Sequence, residues 1–171
     1  MPRNLIGILC LAFTPLAAGQ SLSPEVLKFV KVNAPMVALT HVRVIDGTGA
    51  AAVEDRTLIL SAGRITAIAS AATAVIPKTA QVMDLHGYTV IPGLVGMHEH
   101  LFYPVGDGIY GEMGFSFPPL YLAAGVTTIR TTGSLEPYTD LEIRKKIEAG
   151  EWPGPRMRVT GPYLEGAGSW A

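Results

Sequence analysis

The chain has 171 residues, 49% hydrophobic and 16% charged, with 13 basic and 14 acidic side chains. That composition excludes a disordered tail, and the net charge of −1 excludes nucleic-acid binding through phosphate neutralisation. The 19 glycines and 13 prolines are scattered singly and signal turns rather than a low-complexity linker.

The chain opens on Arg3, a largely apolar run from Leu5 to Leu16, and the small residues Ala17, Ala18 and Gly19. This is the pattern of a cleaved secretory signal over residues 1–19, too short to span a bilayer. The expected location is periplasmic or secreted, with no stable membrane anchor after cleavage. Cys10, the single cysteine, lies inside that run, so no disulfide framework accompanies export.

Residues 20–36 predict a short helical segment, with Ser23 as N-cap, Pro24 at the first helical position and a stop at Asn33-Ala34-Pro35. From Val37 the period changes to two. Short β-type runs follow at Val42–Ile45, Thr57–Leu60, Ile65–Ile68, Gln81–Leu85 and Tyr88–Ile91. Ala62-Gly63 reads as a tight hairpin. These strands predict a small β-sandwich over 37–90. His41 and His86 fall within it as lone histidines, for which solvated or capping roles are expected.

From residue 91 the order is strand, helix, strand, helix, strand: an apolar run over Val90–Val95, a helix near Pro118–Ala124, and a strand over Val126–Thr131. A helix capped by Thr139 or Asp140 and a strand over Met157–Thr160 follow. Residues 101–117 between the first strand and helix read as an aromatic, Gly-rich loop. That order predicts a parallel sheet with crossover helices. A complete (β/α)8 barrel needs about 250 residues, so 91–171 is expected to be its N-terminal part.

One constellation carries chemistry, His98-Glu99-His100. On a strand, residues two apart share a face, so both imidazoles project together while Glu99 faces away. By the same rule Gly96 shares the histidine face. Paired imidazoles at the C-terminal end of a barrel strand suit a divalent metal, and supply two of the three or more ligands a catalytic site needs.

In order along the chain, Asp46-Gly47-Thr48-Gly49, Ala62-Gly63-Arg64-Ile65, Asp84-Leu85-His86-Gly87, Ile91-Pro92-Gly93-Leu94 and Gly125-Val126-Thr127-Thr128-Ile129-Arg130 resemble the amidohydrolase superfamily, particularly its prolidase-like and imidazolonepropionase-like members. The resemblance runs from about Val37 to Gly161. It implies an α/β fold, a composite β-sandwich beside a metal-dependent TIM barrel of which this chain holds the first strands. It implies hydrolysis of a C–N bond in an amide, cyclic amide or dipeptide-like small molecule. His98 and His100 would ligate one or two divalent ions, zinc by default, with no organic cofactor. A lysine and the remaining ligands would lie on later strands, beyond residue 171, as would the general base, and oligomerisation stays open. Tyr103, three residues past His100, is a candidate substrate contact.

Two positions depart from the family pattern. Gly96 stands where an aspartate is usual, and Thr131 stands after Arg130 where Arg-Asp often occurs. The alternatives are a non-catalytic exported binding module and a phosphotriester hydrolase on the same barrel.

Overall fold

The structure is a computed structural model that describes residues 21–164 and 166–167. The signal segment and Cys10 lie outside the described residues. Ser23 caps α1 (Pro24–Leu27) by accepting the Val26 amide at 3.2 Å. The same residue ties this turn to a distant loop. Its amide donates to the Gly150 carbonyl at 2.9 Å and its hydroxyl to the Glu151 carbonyl at 2.7 Å.

Five strands follow: β1 (Met36–Val44), β2 (Val53–Ser61), β3 (Arg64–Ser70), β4 (Gln81–Asp84) and β5 (Thr89–Val90). Their period-two pattern buries Ala38, Thr40, Val42 and Val44 of β1 and leaves His41 and Arg43 exposed. Val42, Val44 and Leu58 form the core, flanked by Leu39, Leu60, Leu85 and Val90. The β2–β3 turn has φ of +48° at Ala62 and +71° at Gly63, the paired positive values of a type I′ hairpin.

The expected sandwich is corrected to one mixed sheet. β1 is long enough to take partners along both edges, β2 antiparallel on one side and β4 and β5 parallel on the other. All five strands therefore lie in a single layer. Alternating hydrophobicity marks the strands but does not say whether neighbours share a sheet.

The apolar run Val90–Val95 is also divided. Val90 ends β5 and pairs with Val44, whereas Leu94 opens β6 (Leu94–Glu99) and pairs with Val126 of another sheet. Pro92 has no amide hydrogen to donate, so the ladder breaks there and the chain crosses between sheets.

The second sheet is parallel, in the order β10 (Arg156–Arg158), β9 (Val126–Thr131), β6. Helix α2 (Phe117–Ala123) connects β6 to β9, and α3 (Pro137–Glu148) connects β9 to β10. Leu101, Ile129, Ile143 and Met157 form its core, with Tyr121, Ile147 and Trp152 packed against them. Helix α3 starts earlier than Thr139 because Pro137 supplies a preset first turn, and Asp140 is buried inside the helix instead of capping it. The expected loop after β6 contains a hairpin, β7 (Phe102–Gly106) and β8 (Ile109–Glu112). Its Asp107-Gly108 turn has φ of +51° and +74°.

Candidate metal centre

The site is built at the end of β6. Gly96 is registered with Ile129 and Glu99 with Thr131, so three steps on β6 face two on β9. The surplus residue is a β-bulge within Met97-His98. Bulges of this kind break the alternation of faces and re-aim side chains. Gly96 departs from the expected alternation: a Cβ built there would overlap the Glu99 carboxylate, so Gly96 faces Glu99.

Beyond the bulge, the imidazoles of His98 and His100 meet edge to face, with centroids 5.3 Å apart and planes at 83°. Two imidazoles sharing a cation at about 2.0–2.1 Å place their ring centres about 5 Å apart, and the pair has that spacing. The His100 ring lies 4.6 Å from Phe102 and 6.4 Å from Tyr163, which fixes it between aromatic neighbours. Its Nδ1 faces the Gly133 carbonyl at 3.4 Å and its Nε2 the Thr132 hydroxyl at 3.5 Å. A carbonyl beside Nδ1 favours the tautomer with the proton there and leaves Nε2 as a lone pair. Gly133, at φ +99°, packs so closely on the Tyr163 ring that a side chain would overlap it. Among the described residues, no group of three or more His, Cys, Asp or Glu is placed to hold a metal ion.

Thr131 has a definite role. Its hydroxyl accepts the Thr160 amide at 2.8 Å and lies 3.2 Å from the Thr160 hydroxyl, which in turn accepts the Gly133 amide at 2.8 Å. This ladder ties the end of β9 to the segment after β10 and places the Gly133 carbonyl beside His100. Neither Thr160 nor Gly133 was singled out from the sequence; a Thr-Gly pair closing an apolar strand was the available signal.

Tyr103 stacks on Phe117 at 4.0 Å, and its hydroxyl is 2.5 Å from that of Tyr121. Tyr121 donates to the His100 carbonyl at 2.9 Å. Burial, the Tyr103 contact and the neighbouring Glu99 carboxylate all push the Tyr121 phenol up, so it remains a neutral donor. Tyr103 is thus linked to the His100 carbonyl through the Tyr121 hydroxyl.

Glu112 on β8 and Asp140 on α3 add buried acid behind the site. Both Glu112 carboxylate oxygens, and Oδ1 of Asp140, are buried with no hydrogen-bond partner. Burial, with the charges of Asp140 and Glu136, pushes the Glu112 carboxyl up from 4.5 to about 7. Burial raises Asp140 too. A carboxyl raised in the fold binds its proton more tightly when folded, so its stabilising effect is full below about pH 4.5 and is lost as pH climbs through about 7. Glu112→Gln should flatten that decline, raising the melting temperature at pH 8 and changing it little at pH 4.5. Parallel melting curves for variant and wild type would contradict this.

His41 on β1 and His86 in the turn between β4 and β5 are both exposed, as expected. His41 Nδ1 lies 2.8 Å from Asp55 Oδ1, beside the Arg43–Glu54 pair at 3.0 Å.

No family model and no curated sequence matches the chain. Solved structures do. A protein from Bifidobacterium longum assigned as a prolidase is 30% identical, with a TM-score of 0.59 over 80% of this chain and 33% of its own. Molinate hydrolase is 24% identical, with a TM-score of 0.65 over 78% of this chain and 31% of its own. A Xaa-Pro dipeptidase with methionine bound is 20% identical, with a TM-score of 0.62 over 75% and 34%. The chain spans about a third of the length of these structures. The shared fold and the ordered motifs leading to His98 and His100 together place this chain in the amidohydrolase superfamily.

Proposed function

We propose that this chain is the N-terminal part of a metal-dependent hydrolase acting on C–N bonds of small amide, cyclic amide or dipeptide-like molecules. On this reading, β6, β9 and β10 are the first strands of a (β/α)8 barrel and the five-stranded sheet belongs to the composite domain beside it. The observation that carries it is the His98–His100 pair, whose rings meet just beyond the bulge at the C-terminal end of the first parallel strand.

His98 and His100 would hold a divalent cation, zinc by default, which when bound would supply a water of pKa about 7 and polarisation of the scissile carbonyl. The residues of this chain hold and orient. His98 and His100 supply two nitrogen donors. The Gly133 carbonyl sets the His100 tautomer, and Tyr121 fixes the backbone of His100 through its carbonyl. Later strands supply the remaining ligands and the general base. The test is made on the intact protein. Purified protein should hold stoichiometric metal and cleave members of an amide and dipeptide panel. Chelation should abolish turnover and added zinc restore it. Full turnover in metal-free protein would overturn the reading.

Export belongs to the same proposal. No described helix is long and apolar enough to cross a membrane. Protein recovered from periplasm or medium should begin at or near Gln20 on N-terminal sequencing, whereas an intact Met1 would contradict cleavage.

A further inference from the structure

We propose that Glu99 is a positioning residue for the histidine pair: its side chain, folded back over Gly96, locks the β6 bulge that sets His98 against His100. The inference rests on the metal-hydrolase reading above.

Three observations carry it. The first is parity. With one surplus residue in Met97-His98, Gly96 and Glu99 come to the same face, at the two ends of the bulged segment. The second is contact. A Cβ on Gly96 would overlap Glu99 Oε1 and lie 2.7 Å from Cγ and 2.9 Å from Cδ. The arm of Glu99, and not only its tip, therefore fills the space a residue-96 side chain would take. Glycine at 96 is what admits it.

The third is anchorage at both ends of the Glu99 residue. Its backbone carbonyl accepts the Thr132 amide at 3.1 Å, the residue whose hydroxyl faces His100 Nε2. Its carboxylate lies beside the Tyr121 phenol, which holds the His100 carbonyl. A bulge clamped across its ends has one conformation, and the imidazoles on it have one relative placement. An unclamped bulge would let His98 turn away from His100 and would weaken a shared ion. Contacts that orient metal ligands in this way are worth about 10–100-fold in affinity.

The experiment uses the intact protein and four variants: Gly96→Ala, Glu99→Ala, Glu99→Gln and the double Gly96→Ala/Glu99→Ala. Two quantities are read. One is zinc affinity, by competition with a chromophoric chelator. The other is the imidazole nitrogen resonances of His98 and His100 in metal-free protein. Gly96→Ala and Glu99→Ala should each weaken zinc about 10-fold and shift both histidines. Gly96→Ala should add nothing once Glu99 is alanine, because the space is then free. Glu99→Gln, which keeps the volume, should retain wild-type affinity and resonances.

Equal, additive losses in the double variant would overturn the proposal, as would unchanged histidine resonances in Glu99→Ala. Should Gly96→Ala fail to fold, the Ala and Gln variants of Glu99 decide alone. Failure of the metal reading shows separately, as zinc retained in His98→Ala. The metal-free resonances judge Glu99 in either case.

Discussion

Replacing His98 or His100 with alanine in the intact protein should remove bound metal and hydrolytic activity together. On the proposed function each imidazole is one of two nitrogen donors that this chain brings to the site, and a hydrolytic zinc needs three protein ligands. Losing a contact that merely orients a ligand costs about 10–100-fold, so losing a ligand itself should exceed about 100-fold in activity. The two variants differ in their side effects. His98 is exposed, and its replacement should leave the melting temperature nearly unchanged. His100 packs on Phe102, a buried residue, at 4.6 Å, so His100→Ala should also lower stability. Metal content by mass spectrometry, with melting curves beside it, separates the two effects. Stoichiometric metal in His98→Ala would remove it from the ligand set.

The 171-residue chain produced by itself should self-associate and show no turnover. Among the described residues, β6 and β10 are unpaired along their outer edges. Such edges invite pairing with another chain. Along β6, Leu94, Val95 and Met97 are each at least half exposed, and Leu120 on α2 is 57% exposed. Covering an aliphatic side chain of this size fully is worth about 1.5–3 kcal/mol, and these half-covered chains gain about half of that each, which favours association through this surface. Catalysis fails for a separate reason, since two imidazoles hold a hydrolytic ion weakly without further ligands or a general base. Light scattering should show concentration-dependent oligomers, and limited proteolysis should cut first beyond about Ile91. A monomer that unfolds cooperatively and hydrolyses an amide with metal bound would refute this prediction.

Local chemistry was legible where it acts over a few residues. The period-two runs located β1 through β4, and Val126–Thr131 coincides with β9. Ser23 before Pro24 marked the first helix, and Ala62-Gly63 the first hairpin, because caps and tight turns are decided by their own residues. The second hairpin had the same kind of signal in Asp107-Gly108, masked by the aromatic and glycine residues around it.

The histidine pair divides in the same way. That His98 and His100 project together follows from their spacing and from the ordered motifs before them, and this the sequence by itself determined. The rest was decided by neighbours distant in the chain. Whether five strands make one layer or two depends on which edges of β1 are taken, a competition that alternation does not encode. Whether Gly96 shares the histidine face depends on a bulge, which exists only in register against β9. Thr131 looked like a missing acidic partner until Thr160, 29 residues on, came within hydrogen-bonding reach. Strict alternation assumes an unbroken ladder, and only pairing with the adjacent strand shows where the ladder slips and which side chain, here Glu99, fills the space.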